Sequence, residues 1–512
     1  MTIATGTLAV MALAVGAAPP TFVDGDGAPW PVVEHGTPAD VPDTAQTVRP
    51  TLDRDGLLRN PATGWMLYDD ASGPVAQAAA YWKAQDEAAR HASIFYVRWR
   101  WAEAEPAEGR YAWRDDPNFK ALIQAALDRG LRLAFRFYVA SQDNTAQATP
   151  QYVRDAGAQG IMETGAGGKK LWTPYLDDPV FQAKFSAFVA AFAKEFDDPA
   201  RVDFVDALGL GWWGEGHHLT LGDPAHLSQV YRWILDTYST RFNRVLLGMQ
   251  YGTGFGWALD EDWALRGEDY VIRRDGLGSH WFGDFERARF AKLWPRSPLY
   301  GERCYWGGGA GVPAQVAKSD PRYGARIKTW RDLDEVAIED ALAFHANTLD
   351  LRTIADARNF LTYPELIARF QRDGGYRLAP VEVRVADSVR AGDALVLRHA
   401  WVNLGVGVLP NANRRWGRKY RPAFALLAAG QDTSGDNLCI ERDAEPGDWL
   451  RGAVHVYTTT LHVSPATAAG DYTLACAMLN TRHDGMPDLR LALKSECRGS
   501  WYTLGQVHVT RR

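Results

Sequence analysis

Two glutamates have the sequence surroundings of a catalytic pair. Glu215 follows the apolar run Val205–Trp213, and Glu302 ends the run that begins at Ser297. Each run predicts a short buried strand leading into a loop rich in glycine and aromatic residues, which is where active-site carboxylates leave a (β/α)8 barrel. One protonated and one ionised carboxyl group on either side of a glycosidic bond can cleave it. The pair therefore predicts glycosidase chemistry.

The spacing of the two glutamates assigns them to particular strands. Glu302 follows Glu215 by 87 residues. A barrel of about 250 residues uses roughly 31 residues in each βα unit, so three units take about 94. If Glu215 ends the fourth strand, Glu302 ends the seventh, and the side chains share one mouth of the barrel. Arg303 beside Glu302 favours an ionised nucleophile, whereas the indoles of Trp212 and Trp213 favour a protonated Glu215.

Alternating strand-like and helix-like segments over residues 55–375 predict the rest of a (β/α)8 TIM barrel. Its other predicted strands are Gly64–Tyr68, Ser93–Arg100, Leu131–Tyr138, Arg244–Tyr251, a segment ending near Ser279–Trp281, and Ala343–Leu349. From residue 376 to residue 512, short segments with alternating polarity are separated by Gly, Asp and Asn. They predict an antiparallel β-sandwich. The expected fold is therefore an α/β barrel followed by a sandwich.

Arginines on two predicted strands need partners inside the barrel. Side-chain alternation places Arg98 and Arg100 on the lumen face of the second strand and Arg136 on that of the third. Arginine is rarely buried unpaired, so we expect these residues to meet Glu215 or Glu302 near the mouth. The alternative is an internal network of ion pairs that never touches a substrate.

Side chains at or just past the predicted strand ends are the candidates for sugar binding, because barrel enzymes place binding groups there. The candidates are Arg98, Arg100, Arg136, Tyr138, Trp213, Tyr251, His280, Trp281, Trp306, His345 and Asn347. The arginines suggest an acidic or heavily hydroxylated glycan. The 20 tryptophans of the chain either stack on sugars or fill the core, and position favours stacking for Trp213, Trp281 and Trp306.

Composition excludes several other functions. A net charge of −6 without a basic run argues against nucleic acid as the main partner. Neither Cys nor His spacing predicts a metal site, and no cofactor is expected. Cys304 is expected to be a packed free thiol, and an oxidising compartment would allow one disulfide among Cys439, Cys476 and Cys497. The oligomeric state is left open.

The N-terminal region predicts export. The apolar run Leu8–Ala18 contains small residues suited to signal-peptidase cleavage, although no Lys or Arg precedes it. It is too short to span a bilayer, and no later segment has the pattern of a membrane span. We therefore expect a signal peptide over residues 1–18 and a periplasmic or secreted protein. Residues 19–54, rich in Pro, Asp and Gly, predict a linker.

A further passage connects the barrel to a known group. Trp101, Glu105, Pro106, Gly109 and Trp113 stand in the pattern W-x-x-x-E-P-x-x-G-x-Y-x-W, found after the second strand in several families of one clan. Residues 55–375 resemble that clan of retaining (β/α)8 glycoside hydrolases, which includes β-galactosidases, cellulases and xylanases. The resemblance implies that the fourth-strand glutamate is the acid/base, the seventh-strand glutamate the nucleophile, and Glu105 structural.

Two details qualify and extend this resemblance. The tail, with Gly375–Arg377 and Trp401–Asn403, resembles a poorly characterised β-sandwich attached to bacterial barrel glycosidases. Gly214 stands where the clan has an asparagine that binds the sugar 2-hydroxyl. His217, His218 and Asn347 are the alternatives for that contact.

Two other functions stay open at this point. The first is a barrel that binds carbohydrate without cleaving it, with Glu215 paired to Arg98 or Arg136. The second is a sugar lyase or isomerase on the same barrel. An isomerase would need a metal cluster, and the histidines are scattered along the sequence.

Overall fold

A computed structural model describes residues 20–25, 27–36, 45–69, 75–433, 435–483 and 485–511. The predicted signal peptide, residues 1–18, lies outside the described residues. Among the residues described, no helix combines the length and the apolar character needed to cross a membrane.

The strands are β1 (Val32–Glu34), β2 (Gln46–Val48), β3 (Gly64–Tyr68), β4 (Ala92–Arg100), β5 (Arg132–Tyr138), β6 (Gly160–Thr164), β7 (Lys170–Pro174), β8 (Val202–Asp206), β9 (Leu246–Gln250), β10 (Val271–Leu277), β11 (Leu299–Arg303), β12 (Ala346–Arg352), β13 (Leu378–Val385), β14 (Ser388–Arg390), β15 (Ala394–Asn403), β16 (Tyr420–Leu427), β17 (Leu438–Ile440), β18 (Val454–His462), β19 (Gly470–Asn480), β20 (Met486–Leu489), β21 (Cys497–Arg498) and β22 (Trp501–Thr510).

The helices are α1 (Ala78–Ala89), α2 (Trp101–Ala104), α3 (Ala112–Asp115), α4 (Pro117–Asp128), α5 (Gln151–Asp155), α6 (Pro179–Phe196), α7 (Leu227–Ser239), α8 (Trp257–Leu259), α9 (Asp284–Leu293), α10 (Val312–Ser319), α11 (Trp330–Ala343), α12 (Ile354–Leu361) and α13 (Pro364–Asp373). A π-helix covers Asp260–Gly267, and 3₁₀ turns cover Ala166–Gly168, Pro224–His226, Gly324–Arg326 and Pro446–Asp448.

Eight parallel strands close into a barrel in the order β3-β4-β5-β8-β9-β10-β11-β12. This confirms the predicted barrel. Alternation along β4 sends Phe95, Val97 and Trp99 into the layer of helices and turns Tyr96 and Arg98 toward the lumen. The register of β4 and β5 pairs Arg98 with Arg136, so both guanidinium groups enter the lumen at one height.

The barrel helices follow from local sequence signals, as α6 illustrates. Asp178 accepts hydrogen bonds from the backbone N–H groups of Val180 and Phe181, and Pro179 occupies the first turn. Phenylalanines at helical spacing, including Phe181, Phe185, Phe188 and Phe192, form one buried face. That face packs on the barrel strands and fixes the connection between them.

Three predicted strand ends are wrong. The fourth strand ends at Asp206 rather than Trp213, because Gly209 and Gly211 each have a φ of 70°, which an extended strand does not allow. The sixth strand ends at Leu277 rather than near Trp281. The eighth strand starts at Ala346, so its end moves from Leu349 to Arg352.

The C-terminal region forms two sheets, which confirms the predicted sandwich. One sheet has the order β1-β18-β15-β13-β2, and the other follows β14-β22-β19-β16-β17 with β20 and β21 attached. Strands β1 and β2 come from the segment predicted to be a linker, and that prediction is wrong for them. Three-residue edge strands carry too little alternation to be recognised within a segment rich in Pro and Gly.

The sandwich closes the N-terminal end of the barrel. Lumen residues such as Met66, Ile94 and Phe204 belong to the same buried cluster as Trp401 and Trp449 of the sandwich. Asn347, near the start of β12, donates to the backbone oxygens of Ala62 and Val408 at 2.7 Å each. The two regions thus share one core at the end of the barrel opposite the strand termini that carry the glutamates.

The four cysteines are free. Cys476 and Cys497 lie on either side of Tyr502 in β22, and Phe424 in β16 separates Cys439 from Cys476. Neighbouring strands are about 4.8 Å apart, so each pair is separated by about 10 Å, beyond the 7 Å that a disulfide spans. The suggested C-terminal disulfide is absent.

Candidate active site

Glu302 and Glu215 reach the same mouth of the barrel by different routes. Glu302 lies within β11, one residue before its end. Glu215 belongs to the loop after β8, which is held by bonds from Trp212 N to His217 O (2.7 Å) and from Glu215 N to Trp212 O (3.0 Å). The spacing argument placed both residues correctly, although Glu215 is not on a strand.

The loop geometry explains why residue 214 is glycine. Gly214 has a φ of 74°, and a Cβ built on it would lie 3.0 Å from Cβ of Tyr138 and 3.3 Å from Cδ of Arg136. Any side chain at this position would therefore have to displace these neighbours by a few tenths of an ångström, and the left-handed φ adds strain. The loop geometry thus favours glycine where the resembled clan has asparagine.

Arg98 lies between the two glutamates. Its Nη1 is 3.5 Å from Oε1 of Glu302 and 4.0 Å from Oε1 of Glu215, so these two oxygens are at most 7.5 Å apart, the sum of the distances. Carboxyl groups about 5–5.5 Å apart perform retaining hydrolysis, and those about 6.5–9.5 Å apart perform inverting hydrolysis. The bound places the pair within reach of a single glycosidic bond.

Arginines occupy both carboxylate oxygens of Glu302. Arg273 donates to Oε2 and Arg352 donates to Oε1, and all three residues are buried. Arg273 also donates to the hydroxyl of Tyr68 at 2.9 Å. Two direct cations and the nearby Arg98 stabilise the ionised form of Glu302.

Arg303 does not supply the charge expected of it beside Glu302. Its side chain points to the helix layer, where Nη1 donates to Asp334 at 2.5 Å and Nη2 lies 3.2 Å from Asp356. Burial raises the pKa of Asp334 to about 7 against the opposing charge of Arg303. An ionised Glu302 is therefore still expected, but because of Arg273 and Arg352 rather than Arg303.

Glu215 is held through one oxygen only. Arg136 Nη1 donates to its Oε1 at 2.5 Å, while Arg136 Nε donates to Asp206 at 2.7 Å. Arginine can only donate, so a proton on Glu215 has to reside on Oε2. That oxygen lies 3.9 Å from Nε2 of His217. The charged neighbours of Glu215 are thus Arg136 and Arg98, whereas the indoles that the sequence indicated stack on His218 (Trp212) and donate to Asp143 (Trp213).

Sequence reasoning missed several members of this network. Asp206 ends β8 and accepts from Tyr96 at 3.0 Å as well as from Arg136. Arg273 and Arg352 lie on strands whose ends were misplaced. Alternation with Val271 along β10 would have marked Arg273 as a lumen residue, but the strand was predicted to lie nearer residue 281.

Several predicted binding residues surround the same mouth but already have partners. Tyr138 donates to Asn144 at 3.3 Å, Trp213 to Asp143 at 2.8 Å, and Tyr251 to Glu261 at 2.5 Å. Burial raises the pKa of Tyr138 to about 12, so it is a neutral donor. Arg100 Nε donates to Glu103 at 2.7 Å, and His280 Nδ1 lies 3.1 Å from Asp320.

Two tryptophans are free to contact a ligand at this end of the barrel. Trp281 is 67% exposed and Trp306 is 42% exposed. The guanidinium of Arg352 lies 5.0 Å from the ring centre of Trp306, which connects this indole to Glu302 through one side chain. By contrast, Trp99 and Trp101 are core residues.

His345 and Asn347 are at the wrong end of the barrel for sugar binding. His345 precedes β12, stacks on Trp294 with ring centres 3.5 Å apart, and lies 3.1 Å from the backbone oxygen of Val406. Asn347 binds backbone at the junction with the sandwich. Both predictions are wrong, because the eighth strand begins three residues later than the sequence suggested.

Of the three alternatives to the missing asparagine, His217 lies nearest to Glu215. Asn347 is excluded by its position. His218 stacks on Trp212 with ring centres 4.4 Å apart and contacts Glu163 at 2.9 Å. His217 is the side chain that faces the free oxygen of Glu215.

One cluster has the composition of a metal site. Glu215, His217 and Asp275 each offer a ligand atom within 4.8 Å of the others, a set that suits a divalent cation such as Zn²⁺. Asp275 also accepts from Gln250 at 2.5 Å and from Arg274. Burial opposes ionisation of Asp275, but Arg274, His217 and Arg273 lower its pKa. The ionised ligand suits a cation, whereas the adjacent guanidinium opposes one.

No protein-family model and no curated protein matches the sequence. Among solved structures, the chain is similar to the catalytic domain of β-amylase from Paenibacillus polymyxa, with 11% identity over 58% of this chain and 94% of that chain and a TM-score of 0.39. It is also similar to endo-glycoceramidase II from Rhodococcus sp., with 14% identity, 80% and 100% coverage and a TM-score of 0.38. A third similar structure is exo-β-1,4-mannosidase Op5Man5 from Opitutaceae bacterium strain TAV5. It is 17% identical over 64% of this chain and 58% of that chain, with a TM-score of 0.38. Values this low do not define a family or an activity, so function is inferred from the site.

Proposed function

We propose that the protein is a retaining glycosidase that acts on an oligo- or polysaccharide, with Glu215 as acid/base and Glu302 as nucleophile. The observation that carries the proposal is the unequal use of the two carboxyl groups by arginine. Glu302 has a guanidinium on each oxygen, whereas Glu215 has one on Oε1 alone. Cations surround the carboxylate of Glu302, whereas Oε2 of Glu215 has no arginine on it among the residues described and is the oxygen from which an acid at this position would donate.

The chemistry follows from this arrangement. Oε2 of Glu215 protonates the glycosidic oxygen as the bond to the anomeric carbon breaks, and the carboxylate of Glu302 attacks that carbon. Glu215 then removes a proton from water, which displaces Glu302 and releases the sugar with its original configuration. Arg98, close to both groups, stabilises the negative charge that moves between them.

A second function has one observation in its favour. The ion pairs of Arg273 and Arg352 with Glu302, together with those of Arg136, resemble an internal network that stabilises a barrel without performing chemistry. In that case the protein binds carbohydrate through its exposed indoles and does not hydrolyse it.

Turnover separates the two functions. Purified protein is incubated with a panel of α- and β-aryl glycosides of glucose, galactose, mannose and xylose and with plant and bacterial polysaccharides. Release of aryl alcohol or reducing sugar that disappears in both Glu215→Gln and Glu302→Gln supports the glycosidase. NMR of the first-formed anomer tests retention. Glu108→Gln, at an exposed glutamate paired with Lys184, is the matched control.

A further inference from the structure

A β-hairpin encloses a cavity beside the proposed acid. The hairpin consists of β6 and β7 and is inserted between β5 and β8. Together with residues 139–148 it surrounds a cavity of about 210 Å³. Side chains from both elements line it, among them Asn144, Glu163, Trp172 and Thr173.

One wall of this cavity belongs to the loop that carries Glu215. Trp212 lines the cavity, and its backbone oxygen accepts the N–H of Glu215 at 3.0 Å. Trp213 N donates to Ala140 O at 2.9 Å, and His218 contacts Glu163 of the hairpin at 2.9 Å. The loop that carries Glu215 and the hairpin are therefore joined by direct contacts.

The cavity wall has the chemistry of a neutral sugar site. Neither Lys nor Arg is among the residues that line it. Its carboxylate, Glu163, is already bonded to His218 and to the hydroxyl of Thr173 at 2.5 Å. Trp172 and Trp212 are the aromatic residues of the lining. Amides, hydroxyls and indoles together suit an uncharged hydroxylated ring better than an ion.

Asn144 is a buried polar group with unused bonding capacity. The residue is only 5% exposed, and its Oδ1 accepts from Tyr138 at 3.3 Å. Within the described part of the chain its Nδ2 donates to no other group, and Asn144 is one of the residues that line the cavity. A buried amide donor facing a cavity is normally satisfied by a ligand or by water.

We propose that the hairpin cavity binds the neutral sugar on the leaving-group side of the scissile bond. This inference rests on the proposed function, because the acid protonates the oxygen of the leaving group and the loop that carries the acid also supplies Trp212 to the cavity wall. It deepens that function by naming the substrate class: an uncharged glycan with at least two sugars, one of them seated between the hairpin and Trp212.

Kinetics with two leaving groups test the cavity. For the sugar selected by the aryl glycoside panel, the glycosyl fluoride is compared with the matching tetrasaccharide. Asn144→Ala should lower kcat/KM for the tetrasaccharide by about tenfold, the loss of one hydrogen bond, and should leave the fluoride unchanged because fluoride does not enter the cavity. Gln159→Ala, an exposed amide at the base of the hairpin, is the control. An equal fall for both substrates overturns the inference.

A binding measurement keeps the test independent of turnover. Tryptophan fluorescence of Glu302→Gln is titrated with tetrasaccharides of β-1,4-linked glucose, mannose and xylose, and the titration is repeated with Asn144→Ala and the milder Asn144→Ser added. Binding weakened by both changes supports the cavity, and binding unaffected by either overturns it. Failure of all three tetrasaccharides to bind also overturns it. Binding through Asn144 in a protein that hydrolyses no panel substrate instead refutes the glycosidase, and with it the leaving-group assignment.

Discussion

Arg136 binds Glu215 through Oε1 alone, at 2.5 Å, and leaves Oε2 facing His217 at 3.9 Å. This one-sided contact matters because a donor on one oxygen directs any proton to the other. In the proposed mechanism, Glu215 would therefore donate its proton from Oε2. His217 is close enough to influence that oxygen but too distant for a direct hydrogen bond.

Removal of each glutamate should leave a different chemical signature. Glu215→Ala should lower kcat by about 10²–10⁴-fold, the contribution of a general acid, and azide should restore product with retained configuration. Glu302→Ala should be rescued by azide with inverted configuration, because the anion attacks in place of the carboxylate. NMR of the glycosyl azides measures both outcomes, and the reverse pattern would exchange the two roles.

Arg98 and Arg136 should respond differently to substitution by lysine. Arg136 is fully buried between Asp206 and Glu215, so a shorter cation leaves one carboxylate unpaired, and the melting temperature should fall markedly; outright loss of a buried partner costs about 3–5 kcal/mol. Arg98 has only the longer contacts of 3.5 and 4.0 Å, so Arg98→Lys should mainly lower kcat. Calorimetry and kinetics on both variants decide this. Equal loss of stability would show that Arg98 is structural.

Asp334 should make the protein less stable as the pH rises from about 4 to 7. Burial raises its folded pKa from 3.8 to about 7, so the folded state retains a proton that the unfolded state releases. The contribution of protonated Asp334 to the free energy of unfolding is complete below pH 3.8 and is lost as the pH rises toward 7. Over these roughly three pH units the loss reaches at most about 4 kcal/mol.

The variant Asp334→Asn cannot titrate, so its stability relative to wild type should improve across this window. Urea unfolding at several pH values measures the difference. Glu335→Gln, one residue further along α11 and partly exposed, is the control. A constant difference between Asp334→Asn and wild type at all pH values would contradict the assignment.

Zinc should inhibit rather than activate. A cation held by Glu215, His217 and Asp275 would occupy the oxygen that the acid uses, so micromolar Zn²⁺ should reduce turnover and EDTA should restore it. His217→Ala should raise the Zn²⁺ concentration needed for half-inhibition, by a factor at least as large as its effect on kcat. Loss of activity after EDTA treatment of the purified protein would instead favour a metal-dependent lyase or isomerase.

Exposed and buried indoles should separate binding from packing. Trp306→Ala should raise KM while leaving the melting temperature nearly unchanged, because Trp306 is partly exposed beside Arg352. Trp99→Ala should destabilise the protein by about 3–5 kcal/mol, because its ring fills the core. An unchanged KM in Trp306→Ala would remove this residue from the sugar site.

The sequence predicted the barrel strands best where burial is one-sided. β3 matched its prediction, and alternation along β4 and β5 correctly brought Arg98 and Arg136 into the lumen. The interval between the glutamates succeeded because βα units have similar lengths.

Backbone exceptions account for the errors. His345 has a φ of 59°, a left-handed conformation that ends the preceding helical segment, so β12 starts only at Ala346. Residues 345 and 347, predicted to lie near the open mouth, therefore lie at the closed end of the barrel. Gly209 and Gly211 likewise ended β8 early. The ion pairs of Glu302 with Arg273 and Arg352 could not be predicted because they join three separate strands, and their pairing depends on ends that propensity does not fix.

The common core at the closed end of the barrel has a consequence for the history and engineering of this chain. Truncation after residue 375 would expose Met66, Ile94 and Phe204, at the N-terminal end of the barrel, to water. The exposed residues would belong to the barrel that carries both glutamates. The C-terminal sandwich therefore completes the core of the barrel. We expect that it cannot be removed or exchanged like an independent binding module. Gene fusions or deletions that treat it as optional should yield insoluble chains.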